Sequence, residues 1–86
     1  MEIDINIAKR VGLNCAIVYA AIKQGIEDRG VSFEGHPFIQ ISAHDIHKEV
    51  DFISERTIVR ALKILEENSL IESKFFVGHK KWRRCI

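Results

Sequence analysis

The chain has 86 residues, 47% of them apolar and 29% charged, which allows one small domain with a thin core. A net charge of +1 excludes a uniformly basic surface, and no apolar run reaches membrane-spanning length, so no membrane partner is expected. Two cysteines without a CxxC pair, and no signal-peptide pattern, lead us to expect free thiols and a cytoplasmic location.

Residues 1–11 form an N-terminal arm whose apolar Ile3, Ile5, Ile7 and Val11 suit either a strand or a helical turn. NCAIVYAAIKQGIED, residues 14–28, predicts the first long helix. Asn14 is a suitable N-cap, with Leu13 and Val18 spaced as a hydrophobic staple. Ile17, Ala20 and Ala21 make one apolar stripe. Cys15, Val18, Ile22 and Ile26 make a second beside it, so the helix is central to the core. Gly25 weakens it near its end, and Gly30 terminates it.

RGVSFEGHP, residues 29–37, reads as a loop, because two glycines and the only proline fall there. Phe38 to Ile41 follows as a short strand. Ser42 and Asp45 have capping-box spacing at the start of a second helix, with Ala43, Ile46 and Val50 inward. Asp51-Phe52-Ile53 is a tight connection. Ser54 then caps a third helix over residues 55–67. Ile58, Ala61, Leu62 and Leu65 have the spacing of its buried face. At about 100° per residue, Arg56, Arg60 and Lys63 cluster within roughly 60° on the opposite side.

Residues 70–77 and 80–86 read as a hairpin around Gly78-His79, a two-residue type II′ turn. That register pairs Val77 with Lys80, Phe75 with Trp82, Ser73 with Arg84 and Ile71 with Ile86. It turns Ile71, Phe75, Val77, Trp82 and Ile86 to the core, and exposes Lys74, Phe76, Lys81 and Arg83. A slip of one residue exchanges the two faces.

Charge is unevenly spread. Residues 1–68 hold 8 cations and 11 anions, whereas residues 69–86 hold five cations against Glu72 alone. This asymmetry marks a basic patch for an anionic partner. The plainer alternative is a sheet edge guarded by lysines.

Helix, short strand, helix, tight turn, helix and hairpin is the order of a winged helix-turn-helix. The expected fold is therefore α+β: a single domain over 1–86, with a three-helix core and a C-terminal β-hairpin wing. The helix-turn-helix spans 42–67 and the wing 70–86. Such a third helix enters the major groove of double-stranded DNA with its N-terminal end leading. Ser54, Arg56 and Thr57 lie at that end, and Arg60 and Lys63 continue the outward face. Arg56 and Arg60 suit base edges; Lys63, Lys74, Lys80, Lys81 and Arg83 suit phosphates. About five neutralised phosphates give a log-affinity against log-salt slope of about −4.5.

SERTIVRALKILEENSLIESK resembles the recognition-helix segment of winged-helix replication initiators and replisome organisers of phages and low-GC bacteria, which carry an S-x-R-T-I-x-R-x-L-x-x-L-E-x-x-G-L-I-like run. GLNCAIVYAAI is similar to their first helix. The resemblance covers about residues 10–77. It implies groove-facing Ser54, Arg56, Thr57 and Arg60, core Leu62, Leu65, Leu70 and Ile71, and a role in DNA replication initiation. Self-association, as a dimer or higher oligomer, or contact with other replication proteins is implied too. Ser69 stands where those proteins have glycine, and the Trp-rich stretch between their first two helices is missing.

Other polar residues carry no recognisable chemistry. His44 and His47 are too few for a zinc site, no nucleophile is paired with a base, and no glycine loop cradles phosphate. The expectation is a non-enzymatic protein without cofactor or metal. Two alternatives remain open: a winged-helix transcriptional regulator, and a protein-interaction winged helix that docks through an exposed Phe76.

Overall fold

In the computed structural model, which describes residues 1–86, Asp4 opens the first helix by accepting hydrogen bonds from the Asn6 and Ile7 amides. The N-terminal arm is thus helical over α1 (Ile5–Val11), with Lys9 and Arg10 complementing its C-terminal dipole. Gly12 ends α1 and begins α2 (Leu13–Arg29) at φ 103°, a conformation that side-chain-bearing residues avoid. Asn14 therefore lies exposed inside α2 and caps nothing, contrary to the sequence reading. Cys15, Ala16, Val18, Ala20, Ala21 and Ile22 are buried around much of the α2 girth, which places this helix at the centre of the core.

Residues 29–37 are not a loop. They contribute β1 (Val31–Phe33) and the start of β2 (His36–Gln40), joined through Glu34 and Gly35 at φ 53° and 79°. Two successive left-handed residues make the tight hairpin turn whose twist matches the strands. Pro37 is tolerated because Phe33 and His36 form the hydrogen-bonded pair closing the turn. The next pair, Ser32 and Pro37, needs no amide from proline.

Ser42 and Asp45 form the reciprocal capping box of α3 (Ala43–Glu49). The hydrogen bonds from the Ser42 backbone and side chain hold the Asp45 carboxyl below its ordinary range. Ser54 caps α4 (Glu55–Glu67), whose Ile58, Ala61, Leu62 and Leu65 are buried as their spacing requires. α4 ends in a Schellman motif: the Leu70 amide donates to Leu65 O at 2.9 Å and the Ser69 amide to Glu66 O at 3.1 Å. Ser69 takes the left-handed position of that motif, at φ 56°.

β3 (Ile71–Phe75) and β4 (Lys81–Cys85) complete a four-stranded antiparallel sheet in the order β1-β2-β4-β3. The fold is a small α+β domain of four helices and this sheet, and no helix is long and apolar enough to cross a membrane. The hairpin register departs by one residue from the sequence reading. Phe75 pairs with Lys81, Lys74 with Trp82 and Ser73 with Arg83, and the loop is residues 76–80. Ile39, Ile71, Ser73, Phe75, Lys81, Arg83 and Cys85 consequently face the helices, while Phe38, Trp82, Lys74, Glu72 and Arg84 face the other way.

The physical cause is a second apolar layer. Helices and sheet enclose a core of 16 buried residues on one side. On the other side, Phe33, Phe38, Phe76 and Trp82 form an aromatic cluster: Phe76 stacks on Phe33 and meets Phe38 edge-on, and Trp82 meets Phe33 edge-on. With β1 taken as loop, Phe75 and Trp82 had only the helical side to fill. With β1 present, Trp82 turns outward to it and joins Phe76, which the sequence already placed on that side. Phe75 is left 59% exposed, and Val77 and Ile86 are also exposed rather than buried.

Candidate nucleic-acid interface

α4 is strongly amphipathic, so burying Ile58 and Leu62 forces Arg56, Arg60 and Lys63 outward, where all three are exposed. None has a carboxylate within ion-pair distance. The four ion pairs of the molecule are His44–Glu55, Lys74–Glu34, Lys74–Glu72 and Arg84–Glu72. Val59 lies beside the three cations on the helix surface and is 54% exposed. The sequence reading passed over it, although its place off the buried spacing was the available signal.

Ser54 and Thr57 are occupied with each other. Ser54 Oγ accepts from the Thr57 amide at 3.2 Å and donates to Thr57 Oγ1 at 2.9 Å, so these hydroxyls fix the helix start. His47 Nδ1 lies 2.7 Å from Ile53 O, which requires the proton on Nδ1 and ties α3 to the turn before α4. His44 meets Glu55 at 3.4 Å, joining the starts of the two helices. The two imidazoles thus serve separate contacts, and no three metal-ligating side chains converge anywhere.

Lys80 and Lys81 are exposed on the hairpin loop and at its exit, free of carboxylates. Together with Ser42, Ala43 and Asp45 they line one cleft, and His44, the next residue along α3, touches the start of α4. The loop, the start of α3 and the start of α4 are therefore consecutive neighbours at one end of the molecule. At the other end Arg10 donates to Asn68 O at 3.3 Å, and the Ile86 amide donates to Leu70 O at 3.1 Å.

Two predicted phosphate contacts are engaged within the protein. Lys74 sits on the sheet face turned away from the helices, 3.3 Å from Glu34 and 4.0 Å from Glu72. The Arg84 hydrogen bond, and then the Lys74 charge, hold the Glu72 carboxyl below its ordinary range. Arg83 requires a correction: it is 7% exposed and faces the helices because of the one-residue register difference. Its Nη1 donates to Ile41 O, its Nε has no partner, and burial pushes its pKa down. It does not present a free cation to a phosphate backbone. Phe76 is corrected likewise: stacked on Phe33, it offers no exposed anchor to a protein partner.

No known protein family, curated protein or solved structure matches the chain.

Proposed function

We propose that this chain is a double-stranded-DNA-binding domain of winged helix-turn-helix type, with α3, residues 50–54 and α4 as the helix-turn-helix and β3–β4 as the wing. The observation that carries the reading is the set of five cations without carboxylate partners, Arg56, Arg60 and Lys63 on α4 and Lys80 and Lys81 on the hairpin. The hairpin loop and the start of α4 both adjoin the start of α3, and Arg60 lies farther along α4, beside the α1–α2 junction. A duplex laid there receives the N-terminal end of α4 in its major groove. Arg56 and Arg60 then reach base edges, Val59 suits a thymine methyl, and Lys63, Lys80 and Lys81 hold phosphates.

The role we assign is DNA replication initiation, as in a phage or bacterial replisome organiser, on the resemblance of SERTIVRALKILEENSLI to that recognition segment. Transcriptional regulation would use the same surface on palindromic operators instead of repeated origin sites. One such domain makes too few contacts for high specificity, so self-association or further domains belong to the proposal.

With Arg83 and Lys74 engaged elsewhere, about three phosphates are neutralised, which lowers the expected salt slope to about −2.7. Duplex titration over a salt series tests this. Arg60→Ala should weaken binding and relax sequence preference. Affinity indifferent to salt and to Arg60→Ala overturns the reading.

A further inference from the structure

The helix-facing side of the β3–β4 hairpin borders an open cleft of about 540 Å³ beside the start of α3. Lys81 and Arg83 from β4 and Phe75 from β3 line one side, Gln40 to Ala43 and Asp45 the other, and His79 and Lys80 the rim. Its volume is that of a small-ligand site.

Arg83 makes this cleft more than a surface hollow. It is 7% exposed, and no carboxylate lies within ion-pair distance. Glu66 is the counter-charge acting on it and already accepts a hydrogen bond from Ser73 at 2.8 Å. Nε of Arg83 is buried without any acceptor. A buried, incompletely compensated guanidinium is costly, and an anion brought near it relieves that cost. Lys80 and Lys81 add two further positive charges at the mouth. The only carboxylate lining the cleft, Asp45, already accepts from the Ser42 amide in the capping box. The cleft is therefore cationic, and one wall is the ring of Phe75, which is 59% exposed.

Cationic groups beside an open aromatic face match an anion joined to a flat ring. We propose that this cleft binds a single nucleotide unit, its phosphate held by Lys80 and Lys81 over the Arg83 guanidinium and its base stacked on Phe75. The Ser42 hydroxyl is within the same wall to meet the sugar or the base edge. Two sources supply that chemistry, a free mononucleotide or an unpaired nucleotide of a strand, and both are distinct from the duplex surface formed by α4.

The test is a titration of the intact chain, read by amide and side-chain NMR shifts, with adenosine 5′-monophosphate, inorganic phosphate and a short single-stranded oligonucleotide. Saturable shifts at Phe75, Lys80, Lys81 and Ser42 with the mononucleotide are expected, together with weaker binding of phosphate alone. Phe75→Ala, at an exposed position, should weaken mononucleotide binding about tenfold while leaving phosphate binding unchanged. Lys81→Gln should weaken both. A larger effect of the oligonucleotide at the same residues assigns the site to an unpaired strand, and an equal effect assigns it to the free nucleotide. No shift at these residues with either nucleotide, or shifts indifferent to Phe75→Ala, overturns the proposal. Because Phe75 lies outside the α4 surface, failure here leaves duplex binding by Arg60 standing, and the reverse also holds.

Discussion

The rings of Phe33 and Phe76 lie face to face, with centroids 4.4 Å apart and planes within 5° of parallel. Phe33 belongs to β1 and Phe76 to the loop after β3, so this stack fastens the far hairpin to the first one across the outer face of the sheet. Phe76→Ala removes the stack and the edge contact with Phe38. The expected loss is about 1–2 kcal/mol, or about 4–8 °C in Tm per kcal/mol for a domain of this size. Urea and thermal unfolding measure it. A wild-type midpoint in the variant would mean that the stack holds nothing in place.

Ser69 occupies the left-handed corner of the α4 Schellman motif, at φ 56°. A residue with a Cβ costs about 1–2 kcal/mol there, while glycine gives back part of that through the freedom of its unfolded chain. Ser69→Gly should stabilise the domain by about 0.5–1 kcal/mol, seen as a higher urea midpoint at unchanged m-value. A destabilised Ser69→Gly variant would contradict the strained geometry.

Tyr19 is the only tyrosine, which makes its ionisation directly observable in the ultraviolet. Burial, followed by the charge of Cys85 and a hydrogen bond with it, pushes the phenol up from an ordinary value of 10.0 to about 12. The folded state therefore favours the protonated phenol. That contribution to stability is complete below the ordinary value and disappears as pH rises from about 10 through about 12. The titration midpoint should lie near the upper figure and fall to the ordinary one in denaturant. A native midpoint at the ordinary value would show the hydroxyl to be solvated.

Glu55 stands in the first turn of α4, beside His44, at the end that leads into the proposed groove. In the proposed complex its carboxylate would repel the phosphates that flank the groove. Glu55→Gln should raise duplex affinity a few-fold at low salt and cost at most about 1 kcal/mol of stability, because the His44 contact is exposed and only the favourable charge in the first helical turn is lost. Lys81→Ala should lower affinity evenly across sequences and flatten the salt slope by about 1. Both follow from binding isotherms at several salt concentrations. Unchanged affinity in both variants would place any DNA contact elsewhere.

Local rules were enough for α3 and α4. The Ser42–Asp45 box, the Ser54 cap and the four-residue apolar stripe of α4 each depend on atoms within a turn or two, so their spacing in the chain already specifies them. The same stripe made the outward direction of Arg56, Arg60 and Lys63 legible. The register of the last hairpin was not, because pairing Phe75 with Lys81 or with Trp82 satisfies the alternation of that segment almost equally.

That choice was made at a distance, by Phe33 and Phe38, in a segment where two glycines and a proline concealed a strand. Once β1 gives the sheet a second apolar side, Trp82 turns toward it beside Phe76, and Arg83 is carried inward to Ile41. The sequence alone determined α3, α4 and which surface of α4 is cationic, since those depend on neighbours along the chain, whereas it left the arm that forms α1 open between strand and helix. Only the tertiary structure decided which side of the hairpin meets the core, because that energy comes from burying aromatic rings against strands far away in the sequence.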